Sequence, residues 1–220
     1  MTVVLLVRHG HTDWVKKKRL AGWTPGIPLN KKGRRQAERL AQALAHLPIR
    51  AVYTSPLERC LETAEAVAGL HGLAPAPLPA VGEVRYGDWE GVKLSQLAKD
   101  KAAWRAVQHY PSRFRFPNGE TLAEVQARAV EALEALAGQH REELVVVCSH
   151  ADVIKLVLAH YLGLHLDLFQ RLHIGLASLS ALALGPAGQA AVLRVNDDGP
   201  FQLPDPAAAK KKKPGGRKKA

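Results

Sequence analysis

The chain has 220 residues and a mass of 23.9 kDa, which is enough for one sizeable domain and short for two. Hydrophobic residues make up 47% and charged residues 23% of the sequence, values that exclude wholesale disorder. The formal net charge of +11 suggests a polyanion-binding protein, but seven of the Lys and Arg residues lie in residues 210–220, and without them the net charge is +4.

The basic C-terminal residues follow a proline-rich stretch, residues 200–206. This composition predicts one folded domain over residues 1–199 and a disordered Pro- and Lys-rich tail over residues 200–220. The tail is expected to be solvated, and the alternative is weak, salt-sensitive, nonspecific contact with nucleic acid or another polyanion.

Cysteine usage and apolar patterning indicate a cytoplasmic protein. Cys60 and Cys148 lie in apolar segments without CxxC spacing, so we expect two reduced core residues. The short apolar run before Arg8 has no preceding cationic segment, and no signal peptide is expected. The longest uncharged stretch, residues 172–193, is interrupted by GPAG at 185–188, which predicts two strands and a turn, with no membrane span.

The predicted elements alternate along the chain. Short apolar, β-branched runs predict strands at residues 3–7, 51–54, 144–148, 178–184 and 190–195. Helical spacing predicts helices at residues 33–47, 55–68, 95–108, 122–138 and 151–162. This alternation implies an α/β fold, a three-layer α/β/α sandwich with a mostly parallel central sheet, whose last two strands form an edge hairpin.

Two of the predicted helices begin with a capping-box pattern. Ser55 stands at the predicted N-cap position, with proline next and Glu58 three residues on. Thr121 and Glu124 have the same spacing. We expect each hydroxyl to accept a hydrogen bond from a backbone N–H group of its own helix.

Arginine and histidine residues follow three predicted strands. Arg8 and His9 come directly after the first strand, Arg59 lies one turn into the helix after the second, and His150 follows the strand at 144–148. Because ligands bind at the carboxyl ends of strands in an open α/β sheet, we expect these side chains to meet. Guanidinium groups bind phosphoryl oxygens through paired hydrogen bonds, while one imidazole could attack phosphorus and the other act as a cationic donor.

A phosphoryl-transfer site also needs an acid for the leaving group. Glu83 is the candidate because it is the only charged residue in the apolar residues 80–84, and Asp88 and Glu90 are alternatives. His150 could instead cap the helix that follows it.

Other interpretations of the same residues remain open from the pattern alone. His9 and His11 form an HxH pair, which could bind a metal ion. Arg59 could form an ion pair with Glu58 or Glu62 on its own helix.

Six segments, in order, resemble the histidine phosphatase superfamily, in its phosphoglycerate-mutase-like branch. They are LVRHGHT (6–12), AGWTPGIPLNKKGRRQA (21–37), YTSPLERCLETA (53–64), EVRYGDWEG (83–91), FPNGET (116–121) and VVVCSHADVIK (145–155). RHG alone is a weak signal, but the ordered set, over about residues 3–185, is specific.

The resemblance implies that His9 is the nucleophile, which becomes phosphohistidine, and that Glu83 is the proton donor. The remaining pocket residues that it implies are Arg8, Thr12, Gly22, Arg59, Tyr86, His150 and Ala151. Of these, the two arginines and the histidine would bind the phosphoryl oxygens. Val15 departs from the family pattern, which usually has an asparagine that contacts phosphate at this position.

The implied activity is hydrolysis of a small phosphorylated metabolite without a metal or another cofactor. The alternative is phosphoglycerate mutase, whose bisphosphoglycerate-dependent members carry an Arg and a Lys where this chain has Val84 and Leu94. A third hypothesis is a non-catalytic polyanion-binding protein that uses its tail. Dimers are common in the family, so a homodimer is also compatible with the resemblance.

Overall fold

A six-stranded sheet forms the centre of the protein in the computed structural model, which describes residues 1–199. The strands are β1 (Thr2–Arg8), β2 (Ile49–Thr54), β3 (Ala76–Pro77), β4 (Leu144–Ser149), β5 (Leu179–Leu184) and β6 (Ala190–Asp197). Their order is β3-β2-β4-β1-β5-β6. The first four strands pair in parallel, whereas β5 runs antiparallel to β1 and β6 antiparallel to β5. The predicted mostly parallel sheet with an edge hairpin is confirmed.

Helices cover both faces of this sheet. They are α1 (Asp13–Lys16), α2 (Lys31–Leu44), α3 (Glu58–Gly69), α4 (Leu94–Leu97), α5 (Lys101–His109), α6 (Leu122–Gln139) and α7 (Ala151–Tyr161). In β1, Val4 and Leu6 pack in the cluster that contains the apolar residues of α6 and α7, whereas Leu5 and Val7 pack with those of α2 and α3. Both faces of β1 are buried, which explains its uninterrupted apolar run.

The predicted capping box at Ser55 is wrong. α3 begins at Glu58, and its N-cap residue, Leu57, makes no side-chain capping bond. Ser55 Oγ instead lies 2.8 Å from Nε2 of His150, and the Glu58 carboxylate accepts hydrogen bonds from the backbone N–H groups of Gly26 and Ile27. Ser55 Oγ also accepts a 3.4 Å hydrogen bond from the backbone N–H of Leu57, and long-range partners replace the rest of the predicted capping box. The second capping box, between Thr121 and Glu124, is confirmed.

Two other helix predictions need correction. The helix expected at residues 95–108 is divided into α4 and α5, because the Asp100 side chain accepts a hydrogen bond from the backbone N–H of Ala103 and starts a new helix. The short helix α1, capped by Thr12, was not predicted.

Part of the sequence interpretation falls outside this structure. The tail predicted for residues 200–220 lies beyond the described residues, so its predicted disorder is untested. Within residues 1–199, none of the helices combines the length and the apolar character that crossing a membrane requires.

Candidate active site

The carboxyl ends of β1, β2 and β4 bring the two central histidines together. Arg8 is in register with Ser149, and Thr54 is in register with Cys148, so the residues that follow these strands share one edge of the sheet. The ring centroids of His9 and His150 are 5.3 Å apart, and both side chains are buried.

Arg59 joins this pair from the first turn of α3. Its buried guanidinium donates from Nη2 to the carbonyl of Gly22 at 2.8 Å, and the same nitrogen lies 3.3 Å from Nδ1 of His150. Nη1 is buried and has no hydrogen-bond partner among the described residues. Arg59 forms no ion pair with Glu58 or Glu62 there, so the interpretation of Arg59 as a surface ion-pair residue is wrong.

Arg8 supplies a second guanidinium with unused donors. Its Nη1 donates to the carbonyl of Ile174 at 2.6 Å, and its buried Nε has no partner within residues 1–199. Buried N–H donors are almost always paired in folded proteins. Unused donors on both Arg8 and Arg59, beside two histidines, therefore form a site suited to an anion.

His9 is oriented with one ring nitrogen free. Its Nδ1 lies 2.8 Å from the carbonyl oxygen of Gly10, which can only accept, so Nδ1 carries the hydrogen and Nε2 keeps its lone pair. Burial, reinforced by the positive charges of Arg59 and Arg8, holds the pKa of His9 well below its usual value. The imidazole is consequently unprotonated at neutral pH.

His150 lies in a similar environment, and its role as the cationic donor expected from the sequence stays a prediction for the phosphate-bound site. Burial and the charges of Arg59, His9 and Arg8 lower its pKa well below the usual value. His150 occupies the N-cap position of α7, but its side chain makes no capping bond, so the capping alternative is wrong. A bound phosphate dianion would raise the pKa of this imidazole and favour its protonation.

Glu83 is the carboxylate that contacts His150 of the histidine pair. Its Oε2 lies 3.5 Å from Nδ1 of His150, and its Oε1 accepts a hydrogen bond from the N–H of Val84 at 3.1 Å. Burial, and then the negative charge of Asp152, raise the pKa of Glu83 to about 7. Of the alternative acids, Asp88 is exposed and bonded to the Asn118 amide, and Glu90 accepts from the N–H of Tyr86.

The remaining predicted pocket residues have varied roles in the structure. Thr12 is buried and accepts from the N–H of Val15, which caps α1. Gly22 has φ of +51° and presents its carbonyl to Arg59. Tyr86 donates to Oδ2 of Asp152 at 2.9 Å, and Ala151 is the first residue of α7.

The metal interpretation of the HxH pair has little geometric support. The Nδ1 atom of His11 lies 2.8 Å from the amide nitrogen of Asn30, whereas His9 Nδ1 contacts the Gly10 carbonyl. Over residues 1–199 no three His, Cys, Asp or Glu side chains are grouped as metal ligands would be.

The backbone that carries Glu83 is held by side chains that the sequence analysis missed. Each carbonyl from residue 80 to residue 83 accepts a side-chain hydrogen bond. Arg128 of α6 donates to Ala80, Gly82 and Glu83 at 2.5, 2.9 and 3.0 Å. The donor to the carbonyl of residue 81 is Ser149 Oγ, and Trp23 Nε1 is a second donor to the carbonyl of Glu83.

A sequence signal for Arg128 exists. It lies three residues after Val125 and one before Ala129, so it is a cation at the border of the apolar stripe of α6. A cation in this position needs buried acceptors. The sequence does not indicate which ones, since backbone carbonyls have no side-chain signature.

Known proteins are similar to this chain in both sequence and fold. Residues 4–198 match the histidine phosphatase superfamily (branch 1). A protein of Erwinia tasmaniensis named probable phosphoglycerate mutase GpmB is 31% identical over 181 residues, which cover 82% of this chain and 84% of that protein. Phosphoserine phosphatase 1 of Hydrogenobacter thermophilus is 30% identical over 183 residues, covering 83% and 86%.

Solved structures agree with these sequence matches. Bacillus stearothermophilus YhfR superposes with a TM-score of 0.85 at 31% identity, over 90% of this chain and 98% of that one. With a family match that spans nearly all of the described residues, the chain belongs to the histidine phosphatase superfamily.

Proposed function

We propose that this protein is a phosphomonoesterase that transfers the phosphoryl group of a small phosphorylated metabolite to Nε2 of His9 and then to water. The observation that carries the proposal is the free Nε2 of a neutral, buried His9 beside two guanidinium groups with unused N–H donors. Family membership and the phosphatase named among the relatives support hydrolysis.

In the first step, Nε2 of His9 attacks phosphorus in line with the bond to the leaving oxygen. The new N–P bond forms as the P–O bond breaks, and the leaving oxygen takes the proton of Glu83. Arg8, Arg59 and His150 stabilise the negative charge on the equatorial oxygens.

In the second step, water attacks phosphorus and gives its proton to the Glu83 carboxylate. The N–P bond breaks, its electron pair returns to Nε2, and inorganic phosphate leaves. Because the pKa of Glu83 is about 7, the group can hold the proton in the first step and accept one in the second.

The test is a phosphate-release screen over phosphorylated metabolites with EDTA present, using the native chain, His9→Ala and His11→Ala. We expect turnover by the native chain and by His11→Ala, and none by His9→Ala. Turnover that survives His9→Ala would refute the nucleophile assignment. Loss of native activity on adding EDTA would favour the HxH metal interpretation.

Phosphoglycerate mutase is the second candidate, supported by the name of the Erwinia tasmaniensis relative. Val84 stands where bisphosphoglycerate-dependent mutases carry an arginine, and its side chain is fully buried in the apolar core. We therefore expect 3-phosphoglycerate with 2,3-bisphosphoglycerate to yield negligible 2-phosphoglycerate. Efficient interconversion would reverse this order of the two candidates.

The charge of residues 210–220 supports a separate proposal, weak binding of nucleic acid or another polyanion by the tail. Deleting residues 207–220 should abolish salt-sensitive retention on heparin and leave phosphatase turnover intact. Loss of turnover would instead give the tail a part in the reaction.

Assembly as a homodimer and a cytoplasmic location also stay predictions. Sedimentation tests the first, and cell fractionation tests the second.

A further inference from the structure

One distant side chain, Arg128, donates to several backbone carbonyls of the segment that carries Glu83. A buried carbonyl without a donor costs about 1–3 kcal/mol. Arg128 donates to three of the four carbonyls from residue 80 to residue 83, and for those of Ala80 and Gly82 no other side chain of the described residues is a donor. The side chain of Arg128 is 22% exposed, so most of it is shielded from water.

Glu120 fixes the guanidinium of Arg128 in this orientation. Arg128 Nε donates to Oε1 of Glu120 at 2.9 Å, and Nη2 donates to Oε2 at 3.0 Å, so the two groups form a bidentate pair. Oε2 of Glu120 also accepts from the backbone N–H of Arg85 at 2.9 Å. The Arg128–Glu120 pair thus forms hydrogen bonds with backbone carbonyls up to Glu83 and with the backbone N–H of Arg85 after it.

We propose that Arg128, oriented by Glu120, is a positioning residue for proton transfer by Glu83. The inference rests on the proposed function, since it assumes that Glu83 protonates the leaving oxygen. Arg128 acts through the backbone and contacts neither of the buried histidines by a hydrogen bond. Attack by His9 is positioned separately, by β1 and the Gly10 carbonyl.

This separation predicts a defect that depends on the leaving group. An alkyl phosphate releases a strongly basic alkoxide and needs the proton from Glu83. p-Nitrophenyl phosphate releases a weakly basic phenolate, which leaves without one. Loosening the backbone around residue 83 should therefore slow the reaction of the alkyl phosphate and change that of p-nitrophenyl phosphate little.

The experiment measures kcat/KM for p-nitrophenyl phosphate and for the best alkyl phosphate from the screen. This ratio reports the steps up to release of the first product, so slow hydrolysis of phosphohistidine does not enter it. The variants are Arg128→Lys, Glu120→Gln and Glu83→Gln. Arg115→Lys is the matched control. Arg115 forms an exposed ion pair with Glu124, which lies on α6, the helix that also carries Arg128.

We expect Arg128→Lys to lower kcat/KM for the alkyl phosphate about 10- to 100-fold, since a lysine cannot reproduce the fork of hydrogen bonds. The value for p-nitrophenyl phosphate should change less than about threefold, and Arg115→Lys should change neither. In the Glu83→Gln background, adding Arg128→Lys should cause no further loss with the alkyl phosphate, because both changes remove the same proton transfer.

An equal loss with both substrates in Arg128→Lys would overturn the inference, as would additive losses in the double variant. If Arg128→Lys does not fold, Glu120→Gln decides, because it keeps the side-chain shape and weakens the bonds to the Arg128 guanidinium and to the Arg85 N–H. Should Glu83→Gln itself show no dependence on the leaving group, the acid assignment fails and the proposed function is revised. If the loss of kcat/KM depends on the leaving group in Glu83→Gln but not in the Arg128 or Glu120 variants, the positioning role alone is refuted.

Discussion

Glu83 Oε2 and His150 Nδ1 lie 3.5 Å apart and do not form an ordinary ion pair. Burial raises the pKa of Glu83 to about 7 and lowers that of His150 well below its usual value. Just below pH 7 the contact therefore joins a carboxylic acid to a neutral imidazole. The acid form is the one that a leaving group requires.

This pair predicts the pH dependence of the reaction. The value of kcat/KM for an alkyl phosphate should fall about tenfold per pH unit above pH 7, where Glu83 loses its proton. The fall should be missing in Glu83→Gln, while ionisation of the substrate affects both enzymes alike. Protonation of His9 should cause no loss near pH 6.5, since its pKa lies well below that value. A native profile that stays flat up to pH 9 would contradict the acid assignment.

The same pKa predicts a stability change. A carboxyl with a pKa of about 7 in the folded state and 4.5 in the unfolded state stabilises the fold fully below pH 4.5, and this contribution is lost as the pH rises through 7. Glu83→Gln should therefore raise the Tm relative to the native chain at pH 8, by several degrees, and raise it much less at pH 4.5. Thermal melts at both values check the difference. Equal effects at the two pH values would argue against the raised pKa.

Ser55 should matter for catalysis. Ser55→Ala removes the hydroxyl that lies 2.8 Å from Nε2 of His150, and we expect kcat/KM to fall about tenfold because a buried imidazole loses its partner. Thr121→Ala is the control, since its hydroxyl caps α6. It should cost about 1 kcal/mol in the free energy of unfolding and leave kcat/KM unchanged. Unchanged activity in Ser55→Ala would show that His150 needs no such contact.

Gly22→Ala should impair the site beyond its backbone strain. Gly22 has φ of +51°, an added Cβ would lie 2.5 Å from the Glu90 side chain, and the Gly22 carbonyl holds Arg59. Gly26→Ala is the matched control, with φ of +70° and open space around the added Cβ. Backbone strain should cost each variant about 1 kcal/mol in stability, Gly22→Ala should lose more because of its contact with Glu90, and only Gly22→Ala should also lower kcat/KM. Parallel kinetics in the two variants would argue against the link to Arg59.

Much of the fold was predictable because the central strands β1, β4 and β5 are buried on both faces. The residues of β4 are all buried, and a strand that is buried on both faces has an uninterrupted apolar run in its sequence. The meeting of His9, Arg59 and His150 was predictable for a related reason, since each follows a strand that ends at the same edge.

Other features depend on contacts that no local pattern contains. The sequence around Ser55 fits a capping box, but the hydroxyl contacts an imidazole 95 residues away. Arg128 binds carbonyls 45 to 48 residues before it, and those acceptors exist only once the backbone before Glu83 has folded against α6. Asp100, by contrast, is a residue type that favours a helix N-cap, so the start of α5 could be predicted. The helical spacing of the apolar residues over 95–108 concealed the break between α4 and α5.

The pairing of β5 with both of its neighbours determines where the two ends of the described chain lie. Leu179 pairs with Val7 of β1 on one side and with Asp197 of β6 on the other. The described chain therefore reaches Gly199 at the end of the sheet that holds the histidines. Thr2 pairs with Leu184 at the opposite end. A fusion that replaces residues 200–220 would therefore start at the end of the sheet that holds the histidines, whereas one placed before Thr2 would start at the opposite end. Kinetic work with chains shortened in this way is best done with the fused domain at the N terminus.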